Sequence, residues 1–198
     1  MAIKHKHIWV DIALFSLFML IVLVGWFFYD TELFLYPIIG LIYLRIYFMI
    51  EGWYFNARRL WFKPKQHLAP FLLGIALAIA TYINLWVFGK FYNIPEWMKE
   101  YKAVHLLLAS VLAQELIFRA YFISSFEKHL KPWPLIILSA IAFVMVHIYL
   151  PWISLFFILL LFSWVFWSWM FLKYRNIYAN VFSHFLINLG TPFVLAMT

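Results

Sequence analysis

Long apolar runs follow one another along this chain, broken only by short clusters of charge and proline, and nowhere do they alternate with period two. Seven of them reach or approach the ~20 residues a helix needs to cross a bilayer. They run from Ile8 to Phe28, Leu33 to Ile50, Leu68 to Phe88, Ala103 to Phe126, Trp133 to Tyr149, Trp152 to Leu172, and Ile177 to Met197. Between them lie Asp30, the stretch from Arg58 to Pro70, Pro95, Pro132 with Pro134, Pro151, and Lys173 with Arg175. A membrane β-barrel would need short strands of alternating hydrophobicity. The pattern therefore predicts an all-α fold, a polytopic membrane helix bundle of about seven transmembrane helices. With no internal repeat and no low-complexity linker, residues 1–198 read as a single transmembrane domain.

Composition agrees: 67% of the residues are apolar and 12% are charged, too few to cover a soluble domain of this length. Cysteine is absent, which excludes disulfides and thiolate metal sites. The net charge of +7 would suggest nucleic acid if the basic residues lined a solvent-facing stripe. They sit instead in the short connections, so no nucleic-acid partner is expected. Lys4, Lys6, Arg58, Arg59, Lys63, Lys65, Lys128, Lys131, Lys173 and Arg175 fall on one face, against Lys90, Lys99 and Lys102 on the other. By the positive-inside rule this puts the N-terminus in the cytoplasm and the C-terminus outside. Many of the 11 Trp and 12 Tyr lie near span ends, as interfacial belts would. The run Trp164, Trp167, Trp169 reads as lipid-facing bulk. Ile94 to Tyr101 reads as a short amphipathic half-helix in the interface. The first run is no cleaved signal peptide: it is too long, with Asp11 near its start and Trp26-Phe27-Phe28 at its end.

A few polar residues lie inside spans, where charge is costly and marks function. Glu115 and Arg119 are four apart on one helical face and can neutralise each other. His184 and Asn188 have the same spacing in the last span, and His147 closes the fifth. Each has a structural reading of its own: a register-fixing ion pair, an interhelical hydrogen-bonding pair, a wetted span end. Asp11, Arg45 and Glu51 lie near interfaces and snorkel. His67 and His105 are interfacial, while His5, His7 and His129 belong to loops. Taken together, the spans offer a base, a second proton carrier, oxyanion donors and a fixed cation. Those are the parts needed to add water to an amide carbonyl. Two histidines and a carboxylate also suggest zinc, but there is no His-Glu-x-x-His signature.

Gln114-Glu115-x-x-x-Arg119, Phe143-x-x-x-His147 and His184-x-x-x-Asn188 resemble, in order, the three motifs of the CPBP intramembrane proteases. That family includes the type II CAAX prenyl endopeptidases and the bacteriocin-immunity (Abi) proteins. The resemblance covers about Ala103 to Gly190. It implies an intramembrane endopeptidase of a bacterial or archaeal plasma membrane. Its substrate would be a membrane-anchored protein or peptide: a C-terminal sorting tail, a pheromone, a bacteriocin or a prenylated tail. In the family, the first glutamate and the second-motif histidine are thought to activate water, and the third-motif histidine and asparagine to stabilise the oxyanion. Carried over, water lies between Gln114 and His147, His184 and Asn188 face the carbonyl, and Glu115 with Arg119 orients the helix. Older descriptions assume zinc; the glutamate-type account needs no cofactor and is preferred here.

One position departs from the family. Gln114 stands where the family has its first glutamate, and a carboxamide can hold a water but cannot take its proton. Losing the base forfeits roughly 10²–10⁴ in rate. The exchange fits an inactivated form made for structural work, or a natural pseudoprotease serving as scaffold or immunity protein. Glu115 as substitute base fits less well, since it points about 100° away around the helix and is taken by Arg119. A transporter would draw on the same buried charges, but no span is broken by paired Gly and Pro and no repeat is visible.

Overall fold

In a computed structural model, the described residues are 68–91, 99–100, 104–127, 129–145, 147 and 153–198, with helical positions 9, 12–13, 15–17 and 19–20 in the first run. The second predicted run, most of the first and most of the interfacial half-helix lie outside the described residues. The rest is helical: α1 (Leu68–Gly89), α2 (Val104–Glu115), a π-helix (Leu116–Ile123) closed by one α-turn (Ser124–Phe126), α3 (Pro132–Met145), α4 (Ile153–Tyr174) and α5 (Ile177–Ala196). No strand occurs among the described residues. Leu68–Gly89, Leu107–Phe126 and Ile177–Ala196 are each long and apolar enough to cross a membrane. Pro132–Met145 and Ile158–Tyr174 are shorter apolar helices. The protein is an all-helical, polytopic, integral membrane bundle.

The side chains explain which faces meet. Leu72, Ile75, Ile79, Ile83 and Trp86 recur every three or four residues along α1 and are exposed. In water such a stripe would drive association; here it is the lipid face. The opposite face, with Gly74, Leu77, Ala78 and Leu85, is buried and packs along α5, the most extensive pairing of described elements. Apolar burial does not separate helix from lipid, so small residues and hydrogen bonds must hold this seam. Ser183 Oγ donates to the Gly74 carbonyl at 3.0 Å and accepts from Trp167 Nε1 at 2.9 Å. One serine thus links α1, α4 and α5. A β-carbon on Gly74 would stand 2.8 Å from Ser183 Cβ, so only glycine permits the approach. Higher up, Tyr82 donates its hydroxyl proton to the Leu186 carbonyl.

The ends follow ordinary capping rules. Pro132 opens α3, where its missing N–H is no loss. Arg175 ends α4 in the left-handed region at φ 52°, its N–H bonded to the Phe171 carbonyl at 2.8 Å. Asn176 caps α5 by accepting from Ala179 N–H at 3.2 Å. Arg175 also pairs with Glu127, tying the α4–α5 connection to the end of the α2 span.

Gly74→Val should therefore force α1 from α5 and destabilise the protein by about 1–3 kcal/mol. The check is melting temperature in detergent beside Ala76→Val, whose site is exposed and whose melting point should stay near the parent's.

Candidate functional site

The fourth predicted span is not one regular helix. It turns from α into π winding directly after Glu115, and every residue from Ile117 to Ile123 is buried. Such i→i+5 segments are rare and concentrate at functional sites. The Phe118 carbonyl within it takes a donor from another helix, Ser139 Oγ of α3, at 3.3 Å. Phe15 of the first run lies across Phe118 and Phe122, ring centroids 6.0 and 4.7 Å away. The π-segment is thus gripped from two sides, which offsets its poorer hydrogen bonding.

Glu115 holds the centre of the site. Its Oε1 is 3.1 Å from Arg119 Nη1 and 2.8 Å from His184 Nδ1. Both members of the ion pair are fully buried, and His184 is 3% exposed. The Glu115–Arg119 spacing gave one contact in advance; the bridge to His184 joins residues 69 apart and is new. The guanidinium lies over the Trp164 ring, centroid 3.1 Å away, with Trp167 at 5.5 Å. The aromatic faces take the place of the water the charge has lost. Trp164 and Trp167 are 0% and 2% exposed, so reading them as lipid-facing bulk is corrected. A Trp-rich run shows no facing preference when the whole helix is apolar.

The second motif arrives through its phenylalanine. Phe143 stacks on Trp164 with 7° between planes, and its centroid is 6.3 Å from the His184 ring. Helix α3 is described over Pro132–Met145, and the predicted end at Tyr149 lies outside the described residues. His147 sits in a turn, its N–H bonded to the Val144 carbonyl at 2.9 Å. The imidazole folds back onto Phe143, centroid 4.2 Å away, with Nδ1 2.9 Å from the Phe143 carbonyl. A carbonyl can only accept, so Nδ1 carries the proton and Nε2 the lone pair. The same holds for neutral His184 opposite an ionised Glu115. Its Nε2 can donate only when the ring is imidazolium.

Glu115, Arg119, Phe143, His147 and His184 are thus drawn into one cluster. Gln114 stands at its edge: half-buried, with Nε2 donating to Ser110 Oγ at 3.2 Å and a buried Oε1 that has no hydrogen-bond partner among the described residues. Asn188 is half-buried one turn beyond His184. Pro192, inside α5, has no N–H to offer the Asn188 carbonyl. Neither Gln114 nor Asn188 is engaged with the ion cluster. Sequence reading missed Ser139, Ser183, Trp164 and Trp167, whose partners lie on other helices.

A zinc site needs at least three protein ligands; among the described residues no group of three His, Asp or Glu could hold a metal ion. The cluster's one carboxylate is paired with a guanidinium.

Residues 96–190, just under half of the chain, match the family model described as type II CAAX prenyl endopeptidase Rce1-like. The three motifs all lie inside that matched segment, so the similarity to this endopeptidase family rests on the part of the chain that carries the site. No curated protein and no solved structure matches the chain.

Removing Arg119 would strand the Glu115 charge among indole rings, at about 3–5 kcal/mol. Asn188 lies outside the cluster, so Arg119→Ala should lower the melting temperature in detergent more than Asn188→Ala does. Equal losses would mean that the ion pair does not hold the bundle.

Proposed function

We propose that this fold is a glutamate-type intramembrane endopeptidase, hydrolysing peptide bonds of membrane-anchored proteins or peptides, with a C-terminal tail as the substrate class. The observation that carries the reading is the Glu115 Oε1–His184 Nδ1 contact at 2.8 Å, with Phe143 and His147 packed beside it. Three motifs distant in sequence form one buried polar site on separate spans. The bilayer core is otherwise hostile to such groups.

In the unimpaired reaction, a glutamate at position 114 and His147 Nε2 draw a proton from water. The hydroxide oxygen attacks the scissile carbonyl. Asn188 and His184, protonated against Glu115, stabilise the oxyanion, and the proton then passes to the leaving amine. No cofactor takes part. Arg119 pairs with Glu115 and holds it in place. The N-terminus is cytoplasmic and the C-terminus outside, and residues 1–198 act as one domain.

In the chain as it stands, the residue at the base position is Gln114, hydrogen-bonded within its own helix. A carboxamide takes no proton from water, so the sequence is a form of the enzyme inactivated for this route, in which the residue at 114 is the base. The same observation supports a second reading, a natural pseudoprotease that holds membrane substrates as a scaffold or immunity protein.

Gln114→Glu should raise cleavage of membrane-tethered tails by about 10²–10⁴. The assay compares it with the parent and with Gln114→Glu/His147→Ala. Cleavage by the glutamate variant that the His147 change removes supports the endopeptidase. A glutamate variant that binds the tails and leaves them intact supports the scaffold.

A further inference from the structure

Gln114 cannot act as a base, yet the site contains another group that can. Glu115 Oε1 fixes the proton of His184 on Nδ1 at 2.8 Å and leaves Nε2 as a lone-pair acceptor. A carboxylate behind an imidazole is the arrangement that sets tautomer and orientation in hydrolytic triads and stabilises the imidazolium as it forms. The Trp167, Trp164 and Phe143 rings, centroids 4.5, 5.7 and 6.3 Å from that of His184, fix its plane. Gln114 Oε1 is buried and has no hydrogen-bond partner among the described residues, so the carboxamide is not drawn into the Glu115–His184 pair.

We propose that the Gln114 chain is a slow hydrolase in its own right, with His184 as general base and Glu115 as its positioning residue. The inference rests on the endopeptidase reading of the site. His184 Nε2 takes a proton from water as the water oxygen bonds to the peptide carbonyl carbon, and the C=O π pair moves onto oxygen. The oxyanion collapses, the C–N bond breaks, and the imidazolium returns its proton to the departing nitrogen. A carboxylic acid and an amine leave, and His184 is neutral again. The imidazole is a base here, not the cationic donor it is when a carboxylate occupies position 114.

The two roles differ in sign under chemical rescue. Removing the ring with His184→Gly and supplying imidazoles of graded basicity should restore cleavage of membrane-tethered peptides, with rates rising with basicity as general-base catalysis requires. A donor role would reverse that trend. The titratable groups facing His184 among the described residues are Glu115, Arg119 and, beyond Phe143, His147; α4 presents indole rings. Glu115→Gln should move the acid limb of the pH–rate profile, a change that mere loss of packing does not produce.

Where His184→Gly does not fold, His184→Gln in the Gln114 chain should lower the rate at least about tenfold, and the shift of the acid limb in Glu115→Gln then separates base from donor. Cleavage by Gln114→Glu, with none by the Gln114 chain above His184→Gln, overturns this proposal and leaves the endopeptidase reading intact. So does rescue that falls with basicity. Absence of cleavage by Gln114→Glu as well overturns the endopeptidase reading itself.

Discussion

A carboxylate in a medium that cannot solvate it is the constraint around which this bundle is built. Glu115 is fully buried, and an ion so placed survives only with a counter-charge and hydrogen bonds of good geometry. Its Oε1 has a guanidinium one turn on and an imidazole from α5. Each partner then has its own requirement: the guanidinium lies on Trp164, and the imidazole is walled by Trp167 and Phe143. Housing one buried charge therefore draws on α2, the π-segment, α3, α4 and α5, while Glu115 Oε2 and the guanidinium nitrogens find no hydrogen-bond partner among the described residues.

The unusual local features serve that convergence. The π-helix begins at the residue after Glu115 and is held by Ser139 and Phe15. The described part of the fifth span is helical to Met145, and His147, in a turn, folds its ring back onto Phe143. Gly74 and Ser183 bring α1 against α5 with backbone and hydroxyl in direct contact, which fixes the helix that carries His184. In lipid, where apolar burial is nearly neutral, such small-residue seams and hydrogen bonds set which helices meet.

Hydropathy made the described spans legible to within a few residues: Leu68–Gly89 and Ile177–Ala196 were marked almost to their ends, because bilayer thickness imposes length directly. The Glu115–Arg119 pair was legible from spacing. The three motifs were legible through their resemblance to a family. Other features could not be read. Nothing local connects Glu115 to His184, so the central contact depends on tertiary packing alone. The π winding carries no hydrophobic period of its own in a segment that is apolar all round. Uniform hydrophobicity also hid the facing of Trp164 and Trp167. A helix that is apolar on every side gives no moment to read.

The claim that Glu115 and His184 form the hinge of the site is tested most directly by a double-mutant cycle. Melting free energies would be compared for the parent, Glu115→Gln, His184→Gln and the double variant in one detergent. Direct contact predicts non-additivity, with an interaction energy of about 0.5–3 kcal/mol. Strict additivity would contradict the account, because it would mean that the two side chains do not support each other in the folded protein.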